Sequence, residues 1–356
     1  MANNDIFATR TMLQMVREGF TTNHAWLRDR YFPTRRTFNT KQIEFDLLPK
    51  GDRTVAPFVH PRNGGAALNH KGFRSKSYEA PEVSIQMITT AEDLLYRLPG
   101  EDPYEPRDPN TRAAEQLARD MVEIDGTITR REEAMCAEAL FTGKITIQGD
   151  GYDEVVDFWS DLEEGEKPDT TLTNKWDSSG TTAKQILADL RAARVNMVKT
   201  AGFTPNEIIL GANVREAILD KLMDAEVLDN RRVVMGQIEP SHLPNGVTYW
   251  GHLNDCGLDI YSYDNWYTDP ETGTDIAMVP EDLALLAAPG VKTLIAYGAC
   301  GLIGSRGVQM VSGARVPDSW TQHYPQAGRI IQLKSKPLPI IQQPLGFHVL
   351  HPLTEE

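Results

Sequence analysis

Apolar residues change their spacing several times along this chain, and each change predicts an element. Between Asp5 and Gly19 the apolar positions Phe7, Met12, Met15 and Val16 follow helical steps and stop at a glycine, which predicts a short amphipathic helix. Arginines, aromatics and a proline interrupt the pattern up to Arg36. From Thr37 to Leu48 the period drops to two (Phe38, Ile43, Phe45, Leu47), and it does so again from Pro81 to Thr89 (Val83, Ile85, Met87), which predicts two strands. The stretch between them, Gly51 to Ala80, holds Pro57, Pro61, Gly64, Gly65 and Gly72 and few apolar residues. Loops of that length inside a domain are usually functional or disordered. A ribbon of about 15 residues a side reaches roughly 50 Å when extended, far enough to touch a neighbour.

The longest helical pattern runs from Asp108 to Thr142. Asp108 is placed to cap it, Pro109 suits its first position, and Gly143 ends it. Leu117, Met121, Ile124 and Ile128 form one stripe, so the helix is expected to lie along a sheet. Gly126 weakens it by about 1 kcal/mol relative to alanine and marks a place for a bend or break. Lys144 to Trp159 reads as a hairpin around Gly149-Asp150-Gly151, and Ser160 to Gly180 as an acidic linker. Thr181 to Thr200 reads as a helix and Glu207 to Leu210 as a short buried strand. A further helix carries Val214, Ile218 and Leu222, with Asn213 as its cap. Later strands are expected at Val247 to Tyr263, Ile276 to Val279, Leu283 to Ala287, Arg329 to Leu333 and Phe347 to Leu350, with a turn at Asp269 to Gly273.

Composition narrows the function. The 356 residues are 40% hydrophobic, enough for a large core, with no run of 18 apolar residues to span a membrane and no secretory h-region at the start. Three scattered cysteines, Cys136, Cys256 and Cys300, read as reduced thiols. The net charge of −14 is uneven. Residues 1–100 carry 14 Lys and Arg against 10 Asp and Glu, whereas residues 101–170 carry 7 against 20. An acidic chain is poorly suited to avid nucleic-acid binding. A basic first third and an acidic middle can attract one another between copies.

Candidate chemistry is sparse. No HExxH, CxxC or phosphate-loop pattern occurs, and His348 and His351 are three apart in a strand, where they face opposite sides. Gly298, Gly301, Gly304 and Gly307 recur every third residue, but no dinucleotide fingerprint is formed and a packed or flexible segment is expected. The acidic run Asp161 to Glu166 lacks the spacing of a calcium loop. The expectation is therefore a structural protein with no catalytic residues, cofactor or metal.

Several segments carry a family resemblance, through their order and spacing. They are Arg97-Leu98-Pro99-Gly100-Glu101-Asp102-Pro103 followed by Asp108-Pro109; Leu140 to Thr146 followed by Val156-Asp157-Phe158; Leu228 to Arg232; Ile260 to Tyr263; and Ala314-Arg315-Val316-Pro317-Asp318-Ser319-Trp320. In that order the chain resembles the phage lambda-type major capsid proteins, with the Hong Kong 97-type capsid fold, over roughly residues 8–350. The resemblance implies an α+β fold divided into an N-terminal arm (1–36), a strand, extended basic loop (about 51–80) and return strand (37–90), a peripheral domain with spine helix and hairpin (91–180), an axial domain (181–313) and return strands (314–356). It implies a major head protein, assembled in the bacterial cytoplasm as hexamers and pentamers of an icosahedral shell around double-stranded DNA. Scaffolding, portal and decoration proteins are its implied partners, and DNA is contacted non-specifically if at all. An encapsulin-like nanocompartment, or an α/β enzyme, stays open as an alternative. Arg53, Arg62, Lys71, Arg74 and Lys76 lie between the two predicted strands and are the expected intersubunit contacts, made to the acidic 101–170 region of the next copy.

Overall fold

The stripe of the long helix decides where the first core forms. In the computed structural model, which describes residues 12, 25–48, 55–56, 58, 74–96, 108–149, 152–162, 164–224, 228–229, 241–270, 272–304, 307–323 and 327–354, helix Pro109–Thr142 begins as its sequence predicts. The Asp108 carboxylate accepts the Asn110 N–H at 3.1 Å. Leu117, Met121, Ile124 and Ile128 are fully buried against Val83, Ile85, Met87, Ile331 and Leu333. Those five come from Val83–Thr90 and Gly328–Ser335, antiparallel strands that continue to Val316–Gln322. The register sets Ile85 opposite Leu333 and Met87 opposite Ile331, so one face of the sheet presents a continuous apolar strip to the helix. Met12, helical and buried, joins this cluster; the rest of the predicted first helix lies outside the described residues. The helix passes through the buried Gly126 without a break, because packing of its whole inner face outweighs one unfavourable residue.

Two compact units make up the chain, each from three segments: Met1–Ile43, Ser77–Met135 and Leu294–Pro339 in one, Glu44–Lys76, Cys136–Thr293 and Ile340–Glu356 in the other. The second is built on a mixed sheet. Its strands run in the order Ser241–Leu243, Val247–Leu253, Leu258–Tyr263, Glu207–Leu210, Ala284–Ala287, Phe347–His351 and Asp169–Thr171, and Leu228–Asp229 also pairs with Val247–Leu253. Helices Ala183–Ala201 and Ala212–Asp224 pack on it through Ile186, Leu187, Leu190, Val214 and Ile218. The first of these is fixed by a capping box between Thr182 and Gln185 and by Gly202 in the left-handed conformation after its end.

Several expectations change. Thr37 to Leu48 is not one strand: Arg35–Thr37 pairs in parallel with Thr293–Tyr297, and a new strand starts at Gln42. The stretch Val247 to Tyr263 is a hairpin turning at Asn254 to Gly257, where a positive φ at Gly257 reverses the chain. Ser160 to Gly180 is more than a solvated linker: it supplies the edge strand Asp169–Thr171 and the fully buried Trp176. Asn213 does not cap its helix; it lies inside the first turn and donates its side-chain amide to Asp282 at 2.7 Å. Of the spaced glycines, Gly301, Gly304 and Gly307 fall in a hairpin, Ala299–Gly304 with Gly307–Ser312, and Gly298 just precedes it.

At the end of the long helix a glycine is required by contact. Gly143 has φ +66° at the end of the long helix, and a Cβ there would overlap the Trp159 indole. Gly143→Ala is expected to cost about 1–3 kcal/mol for overpacking, on top of roughly 1 kcal/mol for the left-handed backbone. Urea unfolding of the unassembled subunit measures this, and an unchanged midpoint would show that Trp159 moves aside freely.

Candidate assembly surfaces

The predicted ribbon has a defined base. Gln42–Leu47 and Arg74–Glu79 form a two-stranded sheet. Alternation buries Ile43, Phe45 and Leu47 on one face, and the Phe45 ring lies 6.2 Å from that of Phe158. The partner of Gln42–Leu47 is thus Arg74–Glu79 and not the expected strand from Pro81 to Thr89, which pairs with Gly328–Ser335 instead; Arg74-Ser75-Lys76-Ser77 offers no apolar alternation to read. Arg74 and Lys76 are strand residues, a correction to their expected place in a loop. Both meet an acid of the same chain. Arg74 Nη1 and Lys76 Nζ reach opposite oxygens of Asp161, at 3.1 and 2.8 Å. Lys76 also donates to the Ser160 hydroxyl at 2.7 Å and the Asp157 carbonyl at 3.1 Å. The Lys76 hydrogen bond holds the Asp161 carboxyl below the usual carboxylate range, against the opposing effect of burial. Arg53, Arg62 and Lys71 lie outside the described residues. Val55 and Phe58, from the same segment, are almost wholly exposed.

A second site is buried and was not anticipated as a site, although Arg315 lies in one of the quoted family segments. Glu132, fully buried on the long helix, accepts Arg315 Nη1 at 2.5 Å and Nη2 at 3.2 Å on its two oxygens, and Arg28 Nη1 at 2.8 Å. Arg315 continues to Asp125 at 2.5 Å and to Thr129 at 3.1 Å. The neighbouring Glu133 accepts the backbone N–H groups of Leu27 and Arg28, both at 2.8 Å, at the start of the short helix Trp26–Tyr31. Burial works against both guanidinium charges, but the carboxylates around them, Glu132 foremost, raise both pKa values above the ordinary. Burial, reinforced by Glu132, likewise pushes the Tyr297 phenol up. The single signal in the sequence was charge on the apolar side of a helical pattern: Asp125, Glu132 and Glu133 fall where the stripe should continue.

Among the described residues no side-chain cluster resembling a catalytic arrangement accompanies these. An open depression of about 480 Å³ is lined by Lys144, Asp157, Trp159, Ser160, Lys167 and Asp169 among others, and Lys144 is paired with Asp157 at 3.5 Å. His348 Nε2 contacts the Thr170 hydroxyl at 3.0 Å and His351 Nε2 the Asp169 carboxylate at 2.8 Å, so both rings fasten the edge strand Asp169–Thr171. Burial lowers the His348 pKa, partly opposed by Asp169. Cys136, Cys256 and Cys300 form no disulfide and are fully buried. Among the described residues no group of three or more His, Cys, Asp or Glu could hold a metal, and no helix is long and apolar enough to cross a membrane.

Comparison with known proteins gives this arrangement its context. The profile of the family described as phage major capsid protein E matches residues 8–347. The chain belongs to that family. It is 22% identical over 351 residues to the major capsid protein of Escherichia phage lambda, covering 96% of this chain and 98% of that protein. It is also 22% identical over 352 residues to the major capsid protein of Enterobacteria phage P21, covering 97% and 98%. Among solved structures, a prophage capsid protein of E. coli CFT073 superposes with a TM-score of 0.71 at 21% identity, covering 97% of this chain and 99% of that one. A phage-related protein from Bordetella bronchiseptica RB50 superposes with a TM-score of 0.52 at 10% identity. The fold of this family member is thus the α+β phage capsid fold of the Hong Kong 97 type, as its sequence segments implied.

Proposed function

We propose that this family member is the major head protein of a tailed phage and builds an icosahedral shell, from hexamers and pentamers of itself, around double-stranded DNA. The observation that carries the reading is the family profile, which matches residues 8–347. Assembly occurs in the host cytoplasm and the product is the virion capsid; scaffolding, portal and decoration proteins are the partners such a shell requires. The net acidic chain supports a wall that leaves packaged DNA mobile, since clustered cations would bind it. No catalytic step is assigned to it. The basic segment between Gln42–Leu47 and Arg74–Glu79 serves contacts between copies, which are heterologous and close into rings.

Expression followed by negative-stain microscopy tests this reading. Particles of phage-head size support it; smaller closed shells favour a nanocompartment, and small discrete oligomers with a measurable activity favour an enzyme. Within the reading, the contact charges can be tested separately. Because Arg74 and Lys76 already have a partner in their own chain, the informative variant reverses Arg53, Arg62 and Lys71 to Glu. Each exposed pair is worth only about 0–1 kcal/mol, but like charges repeated around each ring repel. The variant is expected to stay folded by circular dichroism and to sediment as unassembled subunits. Normal shells from it at low salt, where screening is weakest, would remove the loop cations from the interface.

A further inference from the structure

We infer that Asp161 is a positioning residue for assembly: it clasps strand Arg74–Glu79 through Arg74 and Lys76 and so holds in place the end at which the preceding basic segment joins it. The inference rests on the reading of the chain as a shell subunit. The clasp is denser than an ordinary surface ion pair. The three ammonium protons of Lys76 face three acceptors, the Asp161 carboxylate, the Ser160 hydroxyl and the Asp157 carbonyl, all within one five-residue turn. The Lys76 side chain is only 16% exposed, and the second Asp161 oxygen is taken by Arg74 two residues earlier on the same strand face.

The turn that bears the clasp is itself fixed. The Asp157 carboxylate accepts the Trp159 N–H at 2.7 Å, the Gly143 carbonyl accepts the Phe158 N–H at 2.9 Å, and the Trp159 indole fills the space that a side chain at position 143 would occupy. The ribbon is therefore tied at its base, by way of one carboxylate, to the end of the long helix. The residues between Gln42–Leu47 and Arg74–Glu79 rejoin the described chain at this clasped strand, so what holds Arg74 and Lys76 also holds the point from which that segment departs.

The test uses the full chain with Asp161→Asn, Lys76→Met, and both together. Hydrogen exchange of the Arg74–Glu79 amides in the unassembled subunit and the yield of closed shells by sedimentation and microscopy are both measured. A hydrogen bond to a charged group carries about tenfold or more in an opening equilibrium. Each single variant is expected to speed exchange of that strand about tenfold, to leave the unfolding midpoint of the subunit near wild type, and to lower shell yield or give misshapen shells. The double variant should do no worse than either single one, because both remove the same clasp. Asp161→Glu, which keeps the charge, should retain more shell yield than Asp161→Asn. Unchanged exchange would overturn the clasp itself. Faster exchange with normal shells would overturn its role in assembly. Absence of shells from the wild-type chain would instead sink the capsid reading, while exchange still decides whether the clasp exists.

Discussion

Glu132→Gln is expected to destabilise the unassembled subunit by about 3–5 kcal/mol, the loss typical when one member of a buried ion network is removed. Glu132 is fully buried and shares its two oxygens between Arg315 and Arg28, whose side chains are 10% and 8% exposed. Glutamine keeps the shape but removes the negative charge and turns an N–H₂ group toward guanidinium donors. Both arginines are then left in a poorly solvated place with too few acceptors. Urea unfolding measures the effect, and a midpoint within about 0.5 kcal/mol of wild type would show that the network carries no stability. A triple replacement of Arg28, Glu132 and Arg315 by apolar residues of like volume should cost less than the single change, because it leaves no charge unpaired. The segment that Glu133 anchors, Trp26–Tyr31, should lose exchange protection first.

Ile124→Asp should be as damaging for a different reason. Ile124 is fully buried on the long helix, in an apolar cluster with Leu117, Met121, Ile128 and, from strand Gly328–Ser335, Ile331 and Leu333. An aspartate placed there is either charged without a partner or protonated with few hydrogen-bond partners, at a cost of several kcal/mol, added to the loss of an isoleucine worth about 2–5 kcal/mol when truncated. The subunit is expected to be found mainly in inclusion bodies. A control change at Val122, which is 40% exposed on the other side of the same helix, should leave it soluble. Soluble, correctly assembled Ile124→Asp protein would contradict the buried face described above.

The elements legible in the sequence were those whose signal is local. The helix over Pro109–Thr142 could be read because one apolar stripe, a capping aspartate, a proline and a terminating glycine all agree over 34 residues. Glu207–Leu210 and Phe347–His351 were legible as short apolar runs, and the turn at Asp269 to Gly273 by its own chemistry. The family could be identified from the order of segments, since that order survives where residue identity has drifted to 22%.

Pairing and partnership were decided only in three dimensions. Arg35–Thr37 shows no strand pattern because it gains its backbone partners from Thr293–Tyr297, more than 250 positions away in the chain. Asp169–Thr171 is polar and became a strand only by lying beside Phe347–His351. The charges behaved in the same way. The count of bases in 1–100 and acids in 101–170 suggested attraction between copies, but net charge is a sum and carries no geometry. The fold directs part of it inward, joining Arg74 and Lys76 to Asp161 and Arg28 to Glu132 within one chain. A charge on an apolar helix face signals a buried partner; which arginine answers it, from which distant segment, is fixed by the packing of the strands around that helix.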